Sequence, residues 1–318
     1  TLCGNILWKA LAETFDKEFI EEFIWIDRNR FLTDIFYAMS IIRDIKKREF
    51  EYAIHPTFSR EFFSDIIIKH AIGQYKIGSA GDTVNLSTWQ KHICNKYYTL
   101  LIPTTKKHMF EFNRNKEFFE AMLEIKIDIK KPSLNIEHID FNSYPDNKFI
   151  VLFPGASKKN KMWDIKNFSH IADYIAKKSG FHIVIAGSKK ESHLANTILK
   201  QIKNKNILDM TGKITLPQLS KLLSKAELLI TNDTCAVHIG LAVNTNVICL
   251  LNGNHFGRFA PYPEQTCSKS YFIYPKKIME RIKDTEYLSE LYQYDLHLNI
   301  NSITVEEVEN IVEQILSN

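Results

Sequence analysis

From Lys148 onward, short runs of apolar residues alternate with longer stretches in which apolar residues recur every three or four positions. Phe149 to Phe153 is a continuous apolar run, the pattern of a strand buried on both faces. After a polar loop through Lys161, Phe168, Ile171, Ala172 and Ile175 fall on one helical face, and Gly180 stands where a left-handed helix cap is expected. The spacing then predicts a strand over 182–186, a helix over 191–202, a short strand near Ile207 and a helix over 216–224. A strand over 227–231, a helix over 235–243 and a strand over 247–251 complete the series. Such a β-α-β-α order implies a parallel sheet with helices on both faces.

The first part carries the same pattern less regularly. Phe23 to Ile26 and Tyr52 to His55 read as strands, separated by one long helical stretch containing Phe31, Leu32, Ile35, Phe36, Met39, Ile42 and Ile45. Further helices are predicted over 61–71 and about 108–124, before a Lys130-Lys131-Pro132-Ser133 linker. The domains are accordingly 1–140 and 141–300, with 301–318 a terminal helix. That helix opens on the capping box Thr304-Val305-Glu306-Glu307, and its apolar stripe must dock on the body.

Composition narrows the class. At 318 residues, 45% hydrophobic and 25% charged, the chain suits two folded domains and excludes a collagenous or mostly disordered one. A net charge of +4 is too mild to argue for nucleic acid, though it would suit an anionic membrane face. Five cysteines without a Cys-x-x-Cys pair indicate neither a zinc site nor a disulfide framework, and read as reduced cytoplasmic thiols. Glu227, Asp233 and His238 interrupt the longest apolar stretch, so no spanning helix is expected, and no secretory signal is visible.

In a doubly wound sheet, ligands lie at the carboxyl ends of the strands. Four post-strand loops there carry polar groups of one kind: Pro154-Gly155-Ala156-Ser157 with the lysines through Lys161, Gly187-Ser188-Lys189-Lys190-Glu191, Thr211-Gly212-Lys213, and Thr231 to His238. A small-residue turn followed by lysines is how an anion site is built, and a helix opening at Thr234 would offer free N–H groups to phosphate. Glu191 could accept from ribose hydroxyls. Taken singly, each has a plainer account: solvated lysines, a helix N-cap at Asp233 or Thr234, a core His238, a core Trp163. Their convergence on one sheet edge favours a nucleotide diphosphate. No Gly-x-Gly-x-x-Gly, Gly-x4-Gly-Lys-Ser/Thr, His-Glu-x-x-His or Gly-x-Ser-x-Gly is present, which weakens dehydrogenases, P-loop enzymes, zinc proteases and hydrolases.

As a set, Phe-Pro-Gly-Ala-Ser (153–157), Lys-x-Trp (161–163), Ala-Gly-Ser-x-x-Glu (186–191), Thr-Gly-Lys-Ile-Thr-Leu (211–216), Asn-Asp-Thr-x-x-x-His (232–238) and Arg-Phe-Ala-Pro-Tyr (258–262) resemble glycosyltransferase family 9, the ADP-heptose:lipopolysaccharide heptosyltransferases. The resemblance implies a GT-B architecture of two Rossmann-like domains facing a cleft, with the acceptor on the first and the nucleotide-sugar on the second. It also implies inverting transfer with no metal and no cofactor beyond the donor, ADP-heptose in the family. By that resemblance Lys161, Ser157 and Thr234 would hold the donor phosphates. Glu191 and Ile214 would bind the nucleoside, and Asp233 and His238 the donor sugar. The acceptor would be a lipopolysaccharide-core or related glycan, met by Arg60 and Arg114 at the cytoplasmic face of the inner membrane.

One departure stands out. Family members begin with a strand, a Gly-Asp turn and a helix, and that aspartate is the general base. Here the chain starts at what reads as the second strand, so the first βα unit and its Asp are not in the sequence. His55 and Glu61 are the available substitutes, against a plainer reading as a turn histidine and a helix-start glutamate. The alternatives to a transferase are a nucleotide-sugar-binding module without catalysis and another GT-B-type enzyme such as a nucleotide-sugar epimerase.

Overall fold

The computed structural model describes residues 1–202, 206–267, 270–292, 294 and 296–317. The chain divides into two compact units, Thr1–Ile129 and Lys130–Asn318.

In the first unit, β1 (Leu2–Asn5), α1 (Lys9–Phe15), β2 (Phe23–Ile26), α2 (Arg28–Thr33), α3 (Ile35–Lys46) and β3 (Glu49–His55) are followed by α4 (Phe62–His70), β4 (Ile72–Ser79), α5 (Thr88–Asn95), β5 (Leu100–Ile102) and α6 (Glu111–Leu123). β1 pairs with β2, and β3, β4 and β5 form a second sheet, all in parallel. This corrects the expectation that the first unit lacks a βα unit ahead of Phe23–Ile26, because a strand and a helix precede it. Leu-Cys-Gly-Asn is too short and too mixed to announce a strand; its pairing with β2 makes it one. The single long helix expected after β2 is two, broken at Asp34, whose carboxylate caps α3 by accepting from Tyr37 N at 3.0 Å.

The second unit runs β6 (Phe149–Phe153), α7 (Ile165–Ser179), β7 (His182–Ile185), α8 (Ser192–Gln201), β8 (Ile207–Asp209), α9 (Leu216–Lys225), β9 (Leu228–Asn232), α10 (Cys235–Ala242), β10 (Val247–Leu250), β11 (Ser270–Ile273), α11 (Lys276–Met279), α12 (Thr285–Tyr292) and α13 (Val305–Leu316). Its six parallel strands lie in the order β11-β10-β9-β6-β7-β8. Strands β6, β9 and β10 are buried throughout, as a parallel sheet covered on both faces requires. Phe168, Ile171 and Ile175 of α7 pack on this sheet, each contributing roughly 1.5–3 kcal/mol of burial. The α13 stripe joins the same core through Val308 and Val312.

The order decides where chemistry can sit. From β6 the chain winds outward through β7 and β8, then returns to place β9 on the other side of β6. The connections after β6 and β9 therefore lead to opposite sides, which makes the carboxyl ends of these two strands the switch point where such sheets bind ligands.

Candidate functional site: the switch point of the second unit

β6 ends in Pro154-Gly155, and its loop closes with a short turn over Lys159–Lys161. β9 ends in Asn232, which is fully buried. The Asn232 side-chain amide donates to Pro154 O at 2.8 Å and to Gly155 O at 3.3 Å, while its Oδ1 accepts from Trp163 N at 3.0 Å. Asn252, after β10, donates to Asn160 O at 3.0 Å. Two buried asparagines thus staple the lysine loop in place. A buried amide with its donors and acceptor satisfied is a rigid joint, and leaving these groups unpaired would cost about 1–3 kcal/mol each.

The staple brings two charges together. Lys161 Nζ donates to Asp233 Oδ2 at 2.5 Å, with both side chains mostly buried. The next residue, Thr234, caps α10 by accepting from Ala236 N at 3.2 Å. One turn into that helix, His238 Nδ1 lies 2.8 Å from Tyr262 Oη. Burial pushes His238 below its ordinary value and Lys161 adds to that, against the pull of Asp233, so the ring is neutral at pH 7. Ser157 is exposed in the lysine loop.

Glu191 completes the ring of loops. Its carboxylate accepts from Ser188 N at 2.6 Å in a capping box and lies directly against Gly155 and Gly187. Side chains on those glycines would displace it. The turn after β8 is tied to the same place: Gly212 N donates to Gly187 O at 2.8 Å, and Gly212 takes a left-handed φ of 69°. Ile214 is half-buried and lines a cavity of about 520 Å³ with Phe141, Met210, Lys213 and Gln218. Trp163 is core, donating from Nε1 to Ile303 O at 2.9 Å.

The candidates in the first unit are placed differently. His55 Nδ1 lies 2.7 Å from Tyr98 Oη and 3.4 Å from Asp65 Oδ1. Glu61 is held by Arg28 in two contacts of 2.7 and 2.9 Å. Arg60 is buried, with Asp65 at 3.5 Å and Asn95 as a close partner. Arg114 is buried over the Phe58 ring at 3.8 Å and donates to Thr104 Oγ1 at 2.9 Å and Lys107 O at 3.1 Å. Both guanidiniums are buried and packed against these internal partners. Asn232, Asn252 and Tyr262 join the site without a role assigned to them by the sequence. For Asn232 a signal existed: it is a polar residue closing an otherwise apolar strand.

The model of glycosyltransferase family 9 (heptosyltransferase) matches residues 38–286. The chain belongs to that family. The lipopolysaccharide heptosyltransferase 3 of Escherichia coli is 32% identical over 104 residues, 32% of this chain and 30% of that protein. The lipooligosaccharide heptosyltransferase 2 of a Campylobacter jejuni strain is 26% identical over 228 residues, 65% of this chain and 72% of its own length. Among solved structures, the E. coli heptosyltransferase WaaC with ADP-2-deoxy-2-fluoro heptose aligns with 98% of this chain and 99% of its own, at 14% identity and a TM-score of 0.68. The family's fold is GT-B, and both units here are built on its parallel, Rossmann-like sheets. A UDP-GlcNAc 2-epimerase from Methanocaldococcus jannaschii shares the fold at a TM-score of 0.50 and 12% identity.

Proposed function

We propose that this chain transfers heptose from ADP-heptose to a lipopolysaccharide-core or related glycan, with inversion and without a metal. The observation that carries this is the junction of Lys161, Asp233 and the N-terminus of α10 at the switch point, ringed by Glu191 and the turn before Ile214. A leaving diphosphate develops negative charge, which an ammonium and a helix N-terminus stabilise without an ion. Lys161, Ser157 and Thr234 take the phosphates, Glu191 the ribose hydroxyls, and Ile214 the base against its cavity. Asp233 and His238 face the sugar, the first accepting from its hydroxyls. The first unit takes the acceptor.

A second reading is a donor-binding module without turnover. It is favoured by the state of the two substitute bases: Glu61 is neutralised by Arg28, and His55 is engaged with Tyr98 and Asp65. Titrating ADP-heptose by calorimetry beside a transfer assay on truncated core oligosaccharide separates the two. Binding with turnover supports the transferase, and binding without turnover supports the module. Lys161→Ala is expected to weaken donor binding by roughly 1.5–3 kcal/mol, tenfold to over a hundredfold. Unchanged affinity and turnover in that variant would remove the phosphate assignment.

We infer that the chain meets such an acceptor at a bilayer surface. No helix among the described residues is long and apolar enough to cross one. Ile35, Phe36 and Met39 of α3 are nevertheless 67%, 83% and 60% exposed, and exposed Arg43 and Lys46 follow on the same helix. Apolar residues beside cations suit peripheral contact with anionic lipid.

A further inference from the structure

The Lys161–Asp233 pair has an electrostatic consequence beyond holding a donor. A phosphate oxygen hydrogen-bonded to Lys161 Nζ lies within about 5 Å of Asp233 Oδ2, because Nζ is already 2.5 Å from that oxygen. Every phosphate that uses this lysine therefore meets the carboxylate as well.

The two nucleotides that visit the site differ at that spot. In a nucleoside-diphosphate sugar the terminal phosphate is esterified to the sugar and carries one negative charge, and the sugar beyond it offers hydroxyl donors. In the free nucleoside diphosphate the terminal phosphate gains a second charge near neutral pH, its last proton leaving at a pKa of about 6, and it offers no sugar hydroxyl. A carboxylate at this distance accepts from the first ligand and repels the second.

Resting on the donor assignment above, we propose that Asp233 is a specificity-determining residue that selects the sugar-bearing nucleotide over the spent nucleotide. Its charge offsets part of that of Lys161, which still donates to the phosphate, so the pair holds a doubly charged terminal phosphate less tightly than a lone lysine would. Glu191, set against Gly155 in the adjoining loop, adds a second carboxylate to the same ring. The neutral His238 imidazole supplies no compensating charge. Departure of the product is thereby built into the group that received the sugar.

The test compares the affinities of ADP and ADP-heptose for the wild-type chain, Asp233→Asn and Asp233→Glu by calorimetry at pH 8, with melting curves confirming folding. In Asp233→Asn, ADP is expected to bind about tenfold more tightly and ADP-heptose more weakly, while Asp233→Glu retains most of the wild-type preference. Both ligands weakening together in Asp233→Asn, or an unchanged ratio, would overturn the proposal. Failure of the wild-type chain to bind either nucleotide would instead remove the donor assignment, and this proposal with it. If Asp233→Asn does not fold, a wild-type preference for ADP-heptose that narrows at pH 5.5, where most of the ADP has lost its extra charge, supports the proposal, and a preference unaffected by that change overturns it.

Discussion

Glu191 lies so close against Gly155 that a β-carbon on the glycine would overlap its carboxylate. Two loops from neighbouring strands are thus fitted to each other through one missing side chain, and the position of the carboxylate depends on the gap. Gly155→Ala is expected to push Glu191 out of place and weaken ADP binding by about tenfold, close to the effect of Glu191→Gln. Calorimetry on both variants checks this, and an alanine that binds like wild type would show that the contact does not position the carboxylate.

Stability should fall with acid in two separable steps. His238 is depressed by burial, so the unfolded chain takes its proton first, and stability declines as pH drops below about 6.5 towards the folded value. Burial by itself would raise Asp65, but hydrogen bonds from His55 and Tyr98 and the Arg60 charge outweigh it and hold the carboxyl below its usual range. Its contribution is present above a pH of about 3.9 and is lost as pH falls through the lower folded value. Melting curves from pH 3 to 8 should lose the first step in His238→Gln and the second in Asp65→Asn.

Removing one partner from the buried Arg60–Asp65 pair leaves an uncompensated charge in the first unit. Asp65→Ala is expected to destabilise that unit by roughly 3–5 kcal/mol, read as a shift in its urea midpoint. The double variant Arg60→Met, Asp65→Ala should recover part of the loss, since it leaves no orphaned ion.

Transfer is expected to persist at full rate in excess EDTA, because Lys161 and the N-terminus of α10 supply the positive potential at the diphosphate. A rate that collapses with chelator and returns with added magnesium would refute metal-independence.

Co-sedimentation with vesicles should require anionic lipid and weaken in high salt. Phe36→Ser together with Met39→Ser should reduce binding while leaving ADP affinity unchanged, since both residues are exposed on α3. Equal binding to neutral vesicles would argue against this face.

Residues 148–251 and the terminal helix of the second unit were legible in the sequence because their signals are local, whereas β11, α11 and α12 were not announced by any such pattern. Continuous apolar runs such as Phe149–Phe153 can only be buried strands when helical stretches flank them, and capping boxes at Thr215 and Thr304 mark helix starts with a few adjacent residues. The loops that hold Lys161, Glu191, Asp233 and Thr234 follow from strand order, so which residues share that sheet edge was readable there too. Tertiary structure alone decided the rest. Leu2–Asn5 is a strand through its pairing with β2, and Arg60 and Arg114 are interior because Asp65 and Phe58 come to meet them. The direct contact of Lys161 with Asp233 joins residues from separate loops, and Asn232 places it by bonding to a backbone that no local pattern could bring to its side.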